Sequence, residues 1–258
     1  MTALTQYAAL GRRAVINTIR RPTAVVPSLL FPLLFLALSS AAFDRTTTIP
    51  GFPPVESFLQ FVVATTVIQG ALFGAVAAGA DMATDIEDGF FERLLASPAP
   101  RGSILVGRVT GAAALGFFQG ILYFAITILF GLTVEGGVVA VLLVAVTAAT
   151  VAAGIGSIAV AFALRTGSAE AVQGAFPMLF AGLFVSSAFF PRDLMSGWFK
   201  TVATFNPMSH MIEGLRHQVI AGLSASRFLV ALAVAGGIFL VGFTMAGRAL
   251  AGRLAERA

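Results

Sequence analysis

The chain has 258 residues, of which 58% are hydrophobic and 11% charged, and its mean hydropathy is +0.93. Soluble domains carry roughly a quarter charged residues, so a soluble fold of this composition would expose far too much apolar surface. The net charge of +4 does not indicate nucleic acid as a partner, because the basic residues cluster beside apolar blocks. The lack of cysteine excludes disulfides and thiolate metal sites.

The apolar residues form six blocks, each long enough to cross a membrane. About 20 apolar residues span a hydrocarbon core of ~30 Å as a helix. Pro177 is expected to interrupt the fifth block. The sequence therefore predicts an all-α membrane protein with a single transmembrane domain over residues 1–258. The spans are predicted at residues 24–43, 57–80, 104–132, 138–164, 171–190 and 228–247.

Residues 1–22 read as an amphipathic helix that lies on the membrane surface. One face carries Leu4, Tyr7, Val15 and Ile19, and the opposite face carries arginines. Such a pattern suits contact with anionic headgroups. The alternative interpretation is a flanking segment that only supplies positive charge.

The distribution of basic residues predicts the orientation, because six spans put both termini on one side. That side has 11 of the 16 basic residues, against 5 on the other, so both termini are predicted to be cytoplasmic. The terminal side has Arg12, Arg13, Arg20, Arg21, Arg93, Arg101, Arg108, Arg165, Arg248, Arg253 and Arg257. The other side has Arg45, Arg192, Lys200, Arg216 and Arg227.

The loop between the second and third spans is the most charged stretch of the chain. Phe90, Phe91, Leu94 and Leu95 recur there at helical spacing, and Pro98 ends the pattern. We predict a short amphipathic helix over residues 85–98 whose apolar side needs a partner or the membrane surface. The alternative is a solvated loop whose acidic residues balance nearby arginines.

Residues 191–227 mix aromatic and polar side chains ahead of the last span. Trp198 and Phe199 suit the membrane interface, which predicts short interfacial helices or a re-entrant pair on the outer side. His210, Glu213 and His217 share one helical face. They do not form a His-Glu-x-x-His motif and lack a fourth ligand, so a polar face is preferred and no metal site is predicted.

No residue pattern for catalysis or for nucleotide binding is present. The only lysine is Lys200, and Phe199 occupies the position where a P-loop requires glycine. The predicted spans are nearly free of ionisable groups, which disfavours an ion-coupled carrier. Their neutral polar residues could contact an amphipathic substrate or tie helices together. They are Thr65, Thr66, Gln69, Gln119, Tyr123, Gln173, Ser186 and Ser187.

Two motifs resemble the type-2 ABC transporter permeases. These permeases carry an acidic run with glycine and a Leu-Leu-x-Thr-Pro ending after the second span, and an Asn-Pro segment ending in Leu-Arg before the last. The second motif corresponds to residues 205–216, with His210 where tyrosine is usual, and Gly107 and Arg108 fit the start of the third span. The first motif is matched by Glu87, Gly89, Glu92, Leu94, Leu95 and Pro98, with Asp88 just before the glycine.

The resemblance implies that residues 85–98 form a cytoplasmic coupling helix seated in a cleft of a separate ATPase. The residues expected to contact it are Glu87, Asp88, Gly89, Phe91, Glu92, Arg93, Leu94, Leu95 and Pro98. It also implies spans one, two and five as walls of the transport path, which points to Thr65, Gln69, Phe176, Phe180, Phe184 and Ser187. Residues 191–227 would then be extracellular re-entrant helices.

The resemblance further implies an exporter in the plasma or inner membrane with two ATPase subunits and a second permease copy or paralogue. ATP and Mg²⁺ would be bound by the ATPase, with no cofactor in this chain. The expected substrate is a hydrophobic or amphipathic drug, lipid or lipid-linked glycan. An ion-coupled secondary transporter and a non-transporting scaffold remain as alternatives.

Overall fold

The computed structural model describes Ile16 and residues 22–96 and 100–255, and the regular structure in these residues is helical throughout. The predicted interfacial helix over residues 1–22 lies almost wholly outside them. The α-helices are α1 (Pro22–Phe43), α2 (Phe58–Glu87), α3 (Phe90–Leu95), α4 (Arg101–Leu129), α5 (Gly137–Thr166), α6 (Ala169–Gly174), α7 (Phe176–Phe184), α8 (Gly197–Phe205), α9 (Pro207–Ile220) and α10 (Ala225–Ala255).

Within the described residues, five helices are long and apolar enough to cross a membrane: α1, α2, α4, α5 and α10. They match five of the six predicted spans. The predicted last span, 228–247, lies within α10, which continues as helix through the basic segment to Ala255. The chain is thus an all-helical, multi-pass membrane protein.

The fifth predicted span, 171–190, is not one continuous helix. The structure places two short helices there, α6 and α7, which with Ala175 between them cover 16 residues. The interruption falls where Pro177 was expected to cause one, since proline offers no N–H to the carbonyl of Gln173 four residues earlier. After Phe184 the chain continues as turns to Phe190 instead of as helix.

The turns after α7 leave carbonyl groups that no helix satisfies. The side-chain amide of Asn206 donates to the carbonyl oxygens of Gly182 and Val185 at 2.7 and 3.2 Å. Arg216 donates to those of Ser187 and Ala188 at 3.0 and 2.8 Å. Irregular backbone in an apolar setting needs such partners, so α8 and α9 complete this part of the fold.

The helix α2 is the centre of the bundle. In α2, 89% of the most apolar stretch is buried. The corresponding shares are 22% for α1 and 17% for α10, so α1 and α10 lie at the periphery. The helices α5 and α10 cross closely at two glycines. A methyl group at Gly242 would lie 2.4 Å from the carbonyl oxygen of Gly154, so the crossing requires glycine there.

The bundle has two ends, which hold different loops. The basal end contains Glu87, Arg101, the α5–α6 turn and Ala255. The apical end contains the α1–α2 and α4–α5 connections together with α8. At the apical end the main-chain N–H of Glu135 donates to the carbonyl of Val219 at 2.9 Å, which joins the α4–α5 turn to α9. Both the start of α1 and the end of α10 lie at the basal end.

Candidate functional site

The basal loop contains the short helix α3, entered through a tight turn at Gly89. The helix α2 ends at Glu87, and Gly89 has φ +67°, a left-handed conformation that disfavours any residue with a Cβ. An added Cβ would meet no atom within 4 Å, so the backbone conformation alone explains the glycine. The turn reverses the chain and lays α3 against the bundle.

The apolar side of α3 packs into the protein itself. Phe91 is 0% exposed and belongs to a cluster that includes Met82, Leu105, Leu164 and Leu250. Leu94 and Leu95 are partly buried against the same cluster. The expectation that Phe91 contacts a partner is therefore corrected, because its ring has no exposed surface and anchors α3 to the bundle.

The charged side of α3 is the part that faces outward. Asp88 and Arg93 are exposed, and the Arg93 guanidinium lies 5.6 Å from the centre of the Phe90 ring. Glu92 is partly buried. Pro98, the last residue of the predicted coupling set, lies outside the described residues. Asp88 and Arg93 are consequently the best candidates for contact with a partner protein.

Hydrogen bonds connect the basal loop to two other parts of the chain. A carboxylate oxygen of Glu87 accepts from the main-chain N–H of Ala169 at 2.8 Å, which ties the end of α2 to the start of α6. Arg108 on α4 forms ion pairs with Asp81 and Asp85 on the last turns of α2. A displacement of the loop would therefore reach α2, α4 and α6 together.

Arg253 connects α10 to α3 and α5 at the basal end. Its guanidinium donates to the carbonyl oxygen of Leu164 at 2.8 Å and lies 5.8 Å from the centre of the Phe91 ring. The sequence analysis treated Arg253 only as one of the basic residues that set orientation. No sequence signal distinguishes it from the other arginines of the C-terminal segment, since its role depends on how α10 packs against α5.

At the apical end, Arg216 of α9 is buried against α2. It is 5% exposed, its Nε donates to the carbonyl oxygen of Phe61 at 2.8 Å, and its guanidinium lies 3.5 Å from the centre of the Phe61 ring. The sequence analysis counted Arg216 among the basic residues of the outer side but did not predict that it is buried. Without it the outer side keeps four basic residues, so the predicted orientation is unchanged in sign.

Three of the predicted path residues are buried inside the single chain: Thr65, Gln69 and Ser187. Thr65 donates to the carbonyl of Ala188 at 2.9 Å, and the N–H of Ser187 donates to the hydroxyl of Ser209 at 3.0 Å. The Nε2 atom of Gln69 has no hydrogen-bond partner among the described residues. Thr65 and Ser187 make the contacts of side chains that tie helices together, and their role in a path stays a prediction.

The other three path residues belong to a continuous face of phenylalanines, which we call the aromatic face. It joins α1, α2 and α7, with ring centres 4.7 to 6.3 Å apart. Phe31 and Phe184 are 44% and 46% exposed, so the face is open to the outside of the single chain. Its members are Phe31, Phe35, Phe73, Phe176, Phe180, Phe184 and Phe189.

Two of the three residues considered for metal binding have other contacts. His210 shares a hydrogen bond of 2.9 Å with the carbonyl of Thr204, and Glu213 forms an ion pair with Arg192. In residues 22–96 and 100–255 no three histidine, aspartate or glutamate side chains are grouped closely enough to hold a metal ion.

Comparisons with known proteins identify transport permeases among the relatives of this chain. The chain is 28% identical over 212 residues to a putative transport permease, ycf38, of Porphyra purpurea, covering 81% of this chain and 72% of that protein. It is 26% identical over 203 residues to the daunorubicin resistance ABC transporter permease protein DrrB1 of Streptomyces coeruleorubidus, covering 76% and 68%. It is 27% identical over 212 residues to the inner membrane transport permease YadH of Escherichia coli K12, covering 76% and 74%.

The family comparison covers most of the chain. Residues 5–220 match the family described as ABC-2 type transporter, a range that includes α1 to α9 and stops just before α10. The chain therefore belongs to the ABC-2 type transporter family of membrane permeases.

Proposed function

We propose that the chain is the transmembrane subunit of an ATP-driven exporter and that a separate ATPase docks on its basal end. The 258 residues contain no P-loop motif, which supports placing nucleotide hydrolysis on a separate ATPase subunit. ATP and Mg²⁺ would be bound there. Two ATPases and a second permease, identical or related, would complete the transporter.

The observation that carries this proposal is the attachment of α3 to the rest of the bundle. Phe91 is buried in the basal cluster, Glu87 is bonded to Ala169, and Arg253 contacts both Leu164 and Phe91. A partner that moves α3 therefore moves the ends of α2, α5 and α10 with it. Packed elements with such connections pass on a displacement instead of absorbing it.

The aromatic face supports a transport path along α1, α2 and α7. Phe31 and Phe184 are the exposed rings of this face, and the matching face of a second permease would shield them from lipid and enclose an apolar route between the two copies. Closure of the ATPases would then tilt these helices and open the route on the apical side. Aromatic rings attract apolar and flat ring systems, so the substrate is a hydrophobic or amphipathic drug, lipid or lipid-linked glycan. The relative named for daunorubicin resistance makes a drug the first substrate class to test.

Charge reversal on the exposed side of α3 tests the docking site. Arg93→Glu and Asp88→Lys are expected to abolish co-purification of the ATPase encoded with this chain, while insertion into the membrane is retained. Arg248→Glu is the matched control, because Arg248 is an exposed basal arginine on α10, away from α3. Full ATPase binding by both α3 variants would refute the docking site.

Reconstitution tests the transport step itself. Proteoliposomes that contain the chain and its ATPase should accumulate a fluorescent anthracycline only when ATP and Mg²⁺ are supplied, and collapse of a proton gradient should not stop accumulation. Uphill transport without the ATPase would overturn the proposal and favour an ion-coupled carrier. ATPase stimulation without any substrate flux would favour a scaffold.

A further inference from the structure

A polar cleft of about 440 Å³ opens at the apical end, beside the segment that precedes the last helix. It lies between the α1–α2 connection, the turn after Pro191, α8, α9 and the start of α10. Its volume falls within the ~300–1,000 Å³ that is usual for ligand pockets. It is separate from the basal loop and from the aromatic face, so the proposed function gives it no role.

The charged groups that line the cleft are mostly positive. Four cations and two carboxylates face it: Arg192, Lys200, Arg216, Arg227, Asp193 and Glu213. Arg192 forms an ion pair with Glu213. Lys200 and Arg227 are exposed and form no ion pair with any described residue. The cleft therefore holds more positive than negative charge.

Arg216 is the deepest of these cations and has only neutral partners. Its guanidinium donates to the carbonyl oxygens of Phe61, Ser187 and Ala188. In the described part of the chain no carboxylate lies within ion-pair distance of it. Carbonyl groups satisfy its hydrogens, and Glu213, which is paired with Arg192, offsets only part of its charge from beyond ion-pair distance. Burial of a cation that is only partly compensated is costly. A bound anion would offset that cost.

We propose that this cleft is a binding site for a phosphate-class oxyanion, with Lys200 and Arg227 at its mouth and Arg216 at its base. Two exposed cations that form no ion pair, with the partly compensated Arg216 beneath them, suit an anion of multiple charge, because arginine and lysine both bind phosphate oxygens strongly. Pro53, Pro54 and Ile220 also line the cleft and give it an apolar side. The oxyanion can therefore be a free ion or the headgroup of a lipid-like molecule whose chains extend into the membrane.

The test uses the full chain in nanodiscs of uncharged phosphatidylcholine, titrated with pyrophosphate and followed by calorimetry. We expect saturable binding that weakens as salt is raised. Lys200→Gln and Arg227→Gln should each weaken binding by about tenfold, since each removes one charge-assisted contact. Arg45→Gln is the control, because Arg45 is an exposed apical arginine that does not line the cleft.

A second arm identifies the source of the oxyanion. Nanodiscs that contain phosphatidic acid are analysed by native mass spectrometry for lipid that stays bound to the chain. Retention by the wild type and loss in both cleft variants supports the site with a headgroup as occupant, even if free pyrophosphate binds weakly. If neither probe binds, or if both cleft variants bind like Arg45→Gln, the site is refuted.

Discussion

Arg216 donates from its Nε to the carbonyl oxygen of Phe61 and packs its guanidinium on the ring of the same residue, 3.5 Å from the ring centre. This contact joins α9 to the central helix α2. The same guanidinium also donates to the carbonyl of Ala188 at 2.8 Å, so one side chain holds three segments together.

Loss of Arg216 is expected to destabilise the apical half of the protein. Arg216→Met removes the donor to the buried carbonyl of Ser187 and one of the two side-chain donors to that of Ala188, and should lower stability by about 1–3 kcal/mol. Arg216→Lys keeps the charge but not the planar fork, and should recover only part of the loss. Thermal unfolding in detergent measures both, with the exposed Arg227→Gln as control. A melting temperature of Arg216→Met equal to that of the wild type would contradict this account.

Arg253 is expected to affect coupling more than assembly. Arg253→Gln weakens the link from α10 to Leu164 and Phe91, and substitutions along coupled elements change coupling by about 0.5–2 kcal/mol. Substrate transported per ATP hydrolysed should therefore fall by about two- to tenfold. Arg248→Gln, on the same helix but exposed, should leave that ratio unchanged. A purely structural role would show instead as equal losses of ATPase binding and transport, with their ratio preserved.

Phe180 lies at the centre of the aromatic face and is expected to influence flux. It contacts the rings of Phe31, Phe73, Phe176 and Phe184. Phe180→Leu keeps an apolar side chain but loses ring contacts worth about 0.5–1.5 kcal/mol, so transport should fall by about two- to tenfold with assembly intact. Phe239→Leu, on α10, is the control. Equal transport rates for the two variants would remove the aromatic face from the path.

Because α5 and α10 cross closely at Gly242, alanine at Gly242 and alanine at Gly247 of the same helix should have different effects on stability. Gly242→Ala places a methyl group 2.4 Å from the carbonyl oxygen of Gly154, whereas Gly247→Ala meets nothing within 4 Å. Overpacking of this kind costs about 1–3 kcal/mol. The first variant should therefore unfold at a lower temperature and the second should not. Similar melting curves for both would show that α10 does not cross α5 at Gly242.

Labelling of single cysteines tests the orientation, and the chain has no native cysteine to remove. Glu170→Cys lies in the first turn of α6 at the basal end and Ser196→Cys in the apical segment, and both positions are exposed. A membrane-impermeant maleimide added to intact cells should label only Ser196→Cys. Labelling of Glu170→Cys from outside, or of both positions, would invert or break the predicted topology.

The fold was predictable wherever a helix is long and uniformly apolar. The sequence located α1, α2, α4, α5 and α10 because an apolar run of membrane length leaves few alternatives. The segment predicted at 171–190 is not one continuous helix, because an apolar run does not reveal where a helix stops. Pro177 marked the break, but the turns after Phe184 depend on Asn206 and Arg216, which lie more than 20 residues further along the chain.

The candidate site was predictable in position but less so in detail. The spacing of Phe90, Phe91, Leu94 and Leu95 located a short helix between α2 and α4. It did not reveal that Phe91 packs inward, because an amphipathic pattern has the same form whether its apolar side meets a partner or its own bundle. Arg216 is the last residue of the second motif, so the sequence analysis named it. Its burial could not be predicted, because it depends on carbonyl groups from distant parts of the chain and not on the neighbouring sequence.

The order in which these residues are synthesised constrains how the protein matures in the membrane. The unpaired carbonyls of the turns after α7 are satisfied by Asn206 and Arg216, which emerge from the ribosome only after that segment. The segment therefore has no complete partner set while it passes the insertion machinery. It reaches its final packing against the other helices only after α9 has been synthesised and packs against α2.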